Sequence, residues 1–556
     1  MQHSSLTLRN RNFALGALSA LGLLLASAPV SAATLAAAAA ADLQLTVAAE
    51  GLAQPTDVTV LPDGRIVITQ RTGTVSTFTP NMPDPAEDHI MVQSGQGEQG
   101  LLGVIADPNF ATNQYIYFYA SAGADAANRH QVQRYKLGAD GKLTDKKVVI
   151  DMGLMGPANH NGGALDIYDG NLFIGVGDTG ANSSPPTNHF GSCLNHANGK
   201  VLRVSLAEAT LGQPPADNPL MNQAMVTGCM STGSDFGMFA PEKRIYGWGF
   251  RNPFRLWVDR STGKVWVGDV GEVTREEITV ASMGKHHGYP FFEGTKEWDQ
   301  SFKPPNACMG EIPASECIPP VFDYGNNGGG AVIGGRILDG CGWPAAWKAR
   351  YVFGDHEQRK VWSLDVNATR DGVVANSLKD FASTQGVAAL RMGTDNALYI
   401  VEEGNGSVSR VTAKNSTTTP NSCPTVNGPG GVVGGGGSGS GGATAGGGAG
   451  SGGTGTTNGG AAGSATSAGA ATSAGGTNTN PAAGGSASTT GGTASSSAGA
   501  TSASPGAGAG GASAGDDTSG CGCRMAGGAG GSALGLGALS FALGLALQRR
   551  RRVRRS

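Results

Sequence analysis

GPANHNGGALDIYDGNLFIGVGDTGAN, residues 156–182, is the stretch on which the reading of this chain turns. It opens with a polar run, Asn159-His160-Asn161, followed by Gly162-Gly163. A short apolar strand then reaches a turn at Asp169-Gly170, and a second strand, Leu172–Val176, leads into Gly177-Asp178-Thr179-Gly180. Strand, Asp-Gly turn, strand is the signature of a β-hairpin. A histidine at a strand entry, backed by two glycines that allow close backbone approach, faces a ligand on the functional reading. On the plainer reading it is a structural histidine in a loop of an all-β protein.

The hairpin recurs. Thr56–Thr69, Leu101–Tyr119, Gly163–Gly177, Pro253–Gly268, Val332–Phe353 and Ala388–Val401 each read as an apolar strand, a turn with Gly, Asp or Asn, and a second strand. A further strand follows each one: Gly73–Phe78, Gln131–Leu137, Gly199–Val204, Glu276–Ala281, Lys360–Val366 and Gly406–Thr412. No long helical period interrupts them. Repeated units of this kind predict an all-β fold, a six-bladed β-propeller over residues 42–414 with long inter-strand loops around a central channel. A β-sandwich or a two-domain all-β protein is the rival architecture. The long loop 182–244 is expected to build up one face of the ring.

Outside this region the composition changes. Residues 1–32 read as a secretory signal: Arg9 and Arg11, the apolar run Phe13–Leu25, and the small-residue cleavage site Val30-Ser31-Ala32. Ala33–Ala41 reads as an alanine-rich lead-in. Residues 415–520 are Gly, Ser, Ala, Thr and Asn with almost no charge, a composition expected to form a disordered linker. Residues 521–556 hold Cys521 and Cys523, a short hydrophobic segment over Gly531–Leu547, and a run of arginines. Such a segment closed by arginines sits in a bilayer with its basic end cytoplasmic. The whole chain has 39 Lys and Arg against 42 Asp and Glu. The arginines from Arg524 onward include no acid among them, so the remainder is mildly acidic, which argues against a nucleic-acid binder. Six cysteines fall in or just after the repeats, an even number that favours disulfides outside the cytoplasm. Cys308 with Cys317 and Cys193 with Cys229 are the readiest pairs, leaving Cys341 and Cys423.

Several polar groups stand at strand ends, where a propeller gathers them at one channel mouth. Glu98-Gln99 precedes one strand. His160 is placed to accept a proton from a hydroxyl. Arg251-Asn252, in a glycine- and aromatic-rich loop, offers a rigid fork of donors beside an amide; an ion pair with Glu276 or Glu277 is the plainer reading. Gly268-Asp269-Val270-Gly271-Glu272 combines acidic side chains with glycine-exposed carbonyls, which suits a hard cation such as calcium. His286-His287 tempts a metal reading, but neighbours on a strand point opposite ways.

These pieces carry a resemblance. EQGLLGVIADPNF (98–110), NHNGGALDIYDGNLFIGVGDTG (159–180), GFRNPFRLWVDRSTGKVWVGDVGEVTREEI (249–278), GKHHGYPFFEG (284–294) and the pair VIGGRIL…ARYVFGD (332–355) resemble the soluble quinoprotein glucose and sorbosone dehydrogenases and the related propeller of hedgehog-interacting proteins. The resemblance implies an oxidoreductase that oxidises the C1 hydroxyl of aldose sugars, with pyrroloquinoline quinone and Ca2+ as cofactors and an external electron acceptor. It implies His160 as the general base, with Arg251 and Asn252 on the quinone oxygens and Glu98 among the cofactor contacts. Main-chain oxygens of Gly271 and Glu272, with Asp269, are the implied metal ligands, and Asp178 lies in the turn near the site. Arg336, Arg359 and Lys360 are the candidates for clasping the quinone carboxylates. The chain departs from the enzymes at Val270, at Phe254-Arg255 and at Asn159; several of these changes lean towards the hedgehog-interacting branch, so a surface-displayed propeller that binds carbohydrate or protein without turnover is the alternative. The carboxy-terminal arrangement is similar to the cysteine-containing sorting signal of myxobacterial surface proteins, which implies attachment to the cell envelope.

Overall fold

The computed structural model describes residues 32–94, 97–122, 129–153, 159–180, 189–230, 236–298, 317–327, 329–340 and 342–414. The expected signal, linker and carboxy-terminal segment lie outside these residues. Among the described residues no helix is long and apolar enough to cross a membrane.

Among the described residues six antiparallel sheets, five of four strands and one of five, follow one another along the chain, beside two two-stranded ribbons. Blade 1 is Pro55–Val60, Ile66–Gln70, Thr74–Phe78 and Ala86–His89; blade 2 is Leu101–Ala106, Tyr115–Ser121, His130–Leu137 and Leu143–Asp151. Blade 3 is Ala164–Tyr168, Asn171–Val176, Lys200–Ser205 and Ile245–Trp248; blade 4 is Pro253–Val258, Val265–Asp269, Arg275–Ala281 and Phe322–Gly325. Blade 5 is Val332–Ile337, Arg350–Asp355, Lys360–Asp365 and Lys379–Ser383. Blade 6 takes Val387–Met392, Leu398–Glu402 and Ser407–Ala413 from the end of the domain and its fourth strand, Leu43–Ala49, from the beginning. The first strand of each blade contacts the first strand of the next, and that of blade 6 contacts that of blade 1, so the ring closes. The fold is therefore a six-bladed β-propeller, as the repeats predict, and not a sandwich.

The reason these segments form blades is visible in their burial. Inner strands such as Leu101–Ala106 and Val332–Ile337 are buried along their whole length, because one face meets the next blade and the backbone edge lines the channel. Outer strands such as Ala86–His89 alternate between half-buried and exposed. Aromatic side chains fill the wedge between blades 4 and 5, where Trp266 stacks on Tyr351 with centroids 4.6 Å apart. Each such fully buried large side chain contributes about 2–3 kcal/mol.

The ring is fastened at its seam. Leu43–Ala49 zips to Ser407–Ala413. The alanine-rich lead-in is structured as well: Thr34–Leu35 pairs with Ala382 and Ser383 at the edge of blade 5, and the helix Ala37–Asp42 buries Ala39 in the core. The domain thus begins some eight residues earlier than the repeat pattern indicates, on the scale of about two helical turns. Cys193 and Cys229 are bonded and staple the long insertion of blade 3. Cys317 is disulfide-bonded too, while Cys308, Cys341 and Cys423 lie outside the described residues.

Candidate active site

All six inner strands run the same way through the channel, so the segments that precede them gather at one mouth, called here the upper mouth. Glu98 precedes the inner strand of blade 2, His160 that of blade 3, and Arg251-Asn252 that of blade 4. The turn 270–274, between two strands of blade 4, comes up to the same end, as does the turn of blade 5 that carries Arg359 and Lys360.

His160 sits at φ 56°, a left-handed conformation that a non-glycine residue adopts at a cost and that recurs at functional sites. Its imidazole is 1% exposed. Nδ1 lies 2.6 Å from Oδ1 of Asp178, which also accepts the Gly180 N–H at 2.8 Å. With Nδ1 donating to that carboxylate, Nε2 is the bare nitrogen, and it is buried without a hydrogen-bond partner. The turn bearing Asp178 is tied on both sides: its N–H donates to the Arg251 carbonyl at 2.7 Å, and the Thr179 N–H donates to the His160 carbonyl. Gly177 is required here, since a Cβ would fall 2.0 Å from the His160 carbonyl oxygen.

Beneath this turn lies a residue that sequence reading passes over. Lys200 is fully buried, and its ammonium donates to the carbonyls of Phe190, Gly191 and Asn198. Burial holds its pKa well below the ordinary lysine value, against the pull of the Asp178 and Glu242 charges. Asn198 in turn donates to Thr179 Oγ1 at 3.0 Å.

Arg251 and Asn252 differ in what they do. The Asn252 amide is a tie between blades: Oδ1 accepts the Gly162 N–H, and Nδ2 donates to the Glu98 carboxylate, whose Oε2 also accepts the Asn161 N–H at 2.9 Å. Glu98 therefore acts here as the organiser of the two polar loops. Arg251 extends along the turn of blade 4. Its Nε meets Glu272 Oε2 at 3.3 Å, and its Nη1 donates to the carbonyls of Val270 at 3.2 Å and Gly271 at 2.6 Å. Its carboxylate partner is thus Glu272 rather than Glu276 or Glu277. Tyr289 donates to the same Glu272 oxygen at 2.8 Å.

The acidic residues of 269–272 are committed to the backbone and to Arg251. Asp269, expected among the metal ligands, turns its carboxylate to the N–H groups of Arg251 and Asn252; burial raises its pKa to about 7. Glu293 Oε1 accepts three successive N–H groups, from Glu272, Val273 and Thr274, and so fixes the turn. Among the described residues no cluster of three His, Cys, Asp or Glu side chains is arranged for a metal. A hard cation at this mouth would take main-chain oxygens. The Val270 and Gly271 carbonyls converge on one cationic nitrogen, Nη1 of Arg251, so the turn presents main-chain oxygens of the kind calcium takes, with the guanidinium in that place.

The remaining candidates fall differently. Arg359 is exposed at the upper mouth, 3.5 Å from Gln385 Oε1, and Lys360 beside it is half-buried. Arg336 is not at this mouth: it lies towards the far end of the blade 5 inner strand, among the charges of the lower channel. His286 and His287 are structural. His286 pairs with Ser192 Oγ and the Gly288 N–H, and His287 stacks on Phe250, with burial lowering its pKa to about 4. An open, solvent-connected pocket around His160, Arg251 and Asn252 is the expectation from their positions at strand ends; the structure brings all three together but buries them.

Comparison with known proteins agrees with this architecture. The aldose sugar dehydrogenase YliI of Escherichia coli is 27% identical over 328 residues, 57% of this chain and 78% of that protein. The HIPL2 protein of Arabidopsis thaliana is 24% identical over 44% of this chain and 35% of its own length. The solved structure of the soluble aldose sugar dehydrogenase of Escherichia coli in the apo-form shares the fold, with a TM-score of 0.52 at 24% identity over 67% of this chain and all of that one. The family model for glucose / sorbosone dehydrogenase matches residues 52–410, and the relationship supports an oxidoreductase role. With that match spanning most of the propeller, the chain belongs to the glucose/sorbosone dehydrogenase family.

Proposed function

We propose that the chain oxidises the C1 hydroxyl of aldose sugars at the upper mouth, with pyrroloquinoline quinone and calcium as cofactors. The observation that carries this is the His160–Asp178 pair with its bare, buried Nε2. Asp178 holds Nδ1 as the donor, so Nε2 is poised to take the hydroxyl proton as a general base. Bound at this mouth, the quinone would supply the two-electron acceptor for hydride leaving C1. Gly271 and Glu272 would offer their main-chain oxygens to calcium, and Arg251 would bring positive charge to the oxygen on which negative charge develops. Glu98 and Asn252 hold the histidine loop and the arginine loop in register. Arg359 and Lys360 remain the cations available for carboxylates at this face. The two electrons would pass to an external acceptor. The signal at 1–32 and the basic-flanked segment at 521–556 would place the propeller outside the inner membrane and attached to the envelope.

Reconstitution tests the reading. The full chain, titrated with quinone and Ca2+, is expected to reduce an artificial dye in proportion to added aldose. No change in the spectrum of the quinone and no sugar-dependent reduction would overturn it. One observation favours a second reading, a sugar or protein binder without turnover: Arg251 is already paired with Glu272, and the site is closed over. That reading expects sugar binding with no dye reduction at any quinone concentration.

A further inference from the structure

The lower half of the channel is lined by charges that the proposed reaction does not use. Arg391 on blade 6 makes a two-point pair with Asp57 on blade 1, and Arg260 on blade 4 makes one with Asp166 on blade 3. Arg336 is different. It is 5% exposed, its Nε is buried without a partner, and among the described residues its side chain makes no hydrogen bond or ion pair. Its guanidinium lies 5.7 Å from the centroid of the Trp257 ring. Burial lowers its pKa to about 9, with Asp166 and Asp57 opposing and Arg260 and Arg391 adding to that effect. Asp339, just beyond the strand, is occupied by Arg370.

Three guanidinium groups thus come together here, and that of Arg336 is the one without a hydrogen-bonded carboxylate, while Arg370 lies between two, Asp259 and Asp339. Buried charges are costly unless paired. Beside Arg336 lies a cavity of about 30 Å³, lined by Arg260, Arg336, Arg391 and Asp166 together with mostly apolar residues of blades 1, 2 and 6. A cavity of that size takes a monatomic ion or one to two waters, and it is too small for a sugar or a quinone.

We propose that this cavity is a binding site for a monovalent, chloride-sized anion, held by Arg336 between the two arginine–aspartate pairs. The anion gives the Arg336 guanidinium a partner where residues of all six blades line the cavity, and so stabilises the ring from the end opposite His160. The site is independent of the quinone reading and needs neither cofactor.

The test uses the full chain at fixed ionic strength, replacing chloride stepwise by methanesulfonate, which is too large for the cavity. Thermal unfolding is expected to shift upward by about 2 °C as chloride rises to about 0.1 M. Arg336→Gln is expected to abolish that response. Bromide soaked into crystals of the unaltered protein is expected to give an anomalous peak within hydrogen-bonding distance of Arg336. A bromide peak with a chloride response lost in the variant supports the site. A response that persists unchanged in folded Arg336→Gln, or protection by phosphate without protection by chloride, overturns it. Should the variant fail to fold, the scattering decides: no bromide at Arg336 means that the cavity holds water only, and the proposal falls.

Discussion

The two mouths of the channel solve the problem of buried charge in opposite ways. At the upper mouth carboxylates dominate, and almost every one serves as an acceptor for backbone N–H groups or for a single cation: Asp269 holds Arg251 and Asn252, Glu293 holds 272–274, and Glu98 holds Asn161. At the lower mouth arginines dominate and, Arg336 apart, are paired across blades. The lower pairs act as rivets. The upper network leaves His160 Nε2 buried without a partner, as it does Asp178 Oδ2 and Gln358 Nε2, and of these the imidazole nitrogen is the group with chemistry to do. The contrast teaches that burial and charge alone do not distinguish a site from a scaffold; what separates them is whether a reactive atom remains unsatisfied after every supporting bond is made.

The largest effect that separates the two regions is expected at the rivet. Arg391→Ala leaves Asp57 unpaired across the seam between the first and last blades, and the loss is expected to be about 3–5 kcal/mol by denaturant unfolding. A loss below about 1 kcal/mol, the range of an exposed pair, would break the comparison. The pH dependence has a matching sign. Burial pushes the Asp57 carboxyl up, but Arg391 and Arg255 outweigh it, so the folded pKa lies below 3.8. A depressed carboxyl contributes its stability above the unfolded value and loses it as pH falls through the folded value. The pair's contribution is therefore expected to be intact at neutral pH and to fade only below about pH 3.8.

The next effect is at the upper mouth and concerns rate rather than stability. Asp178→Asn keeps the shape but removes the carboxylate that fixes the His160 tautomer. Turnover is expected to fall by about 10- to 100-fold, with sugar binding little changed. Equal loss of binding and turnover would make Asp178 a merely structural residue. The smallest expected effect is that of Tyr289→Phe. It deletes one hydrogen bond to Glu272, and the cost is expected to be about 1 kcal/mol in thermal unfolding. A larger loss would show that the Arg251–Glu272 pair depends on the tyrosine.

Much of this was legible in the chain and some was not, for physical reasons. Six hairpins announce six blades because inner strands are continuous apolar runs. The fourth strands are not legible in the same way: Ala86-Glu87-Asp88-His89 is an edge with half its residues in water and reads as a loop. The strand Leu43–Ala49 is recognisable as part of blade 6 only through its pairing with residues more than 350 positions away, a non-local register that no local pattern encodes. At the site, His160, Glu98 and Arg251-Asn252 stood out as polar groups at strand entries. The roles of the acids did not, because Asp178 and Asp269 sit in similar glycine-flanked turns. Only the direction of each carboxylate, towards an imidazole in one and towards backbone N–H groups in the other, tells them apart. Lys200 gave no signal at all, since a lysine at a strand start is ordinarily a solvated charge.

If His160 is the base of a quinone-dependent sugar oxidation, its replacement by Gln removes the proton-transfer step and spares cofactor binding. The unaltered chain and His160→Gln are to be loaded with quinone and Ca2+, with cofactor binding followed by the quinone spectrum and turnover by aldose-dependent dye reduction. The account expects the same quinone affinity in both and a kcat at least about 10²-fold lower in the variant. Full turnover in His160→Gln would contradict it.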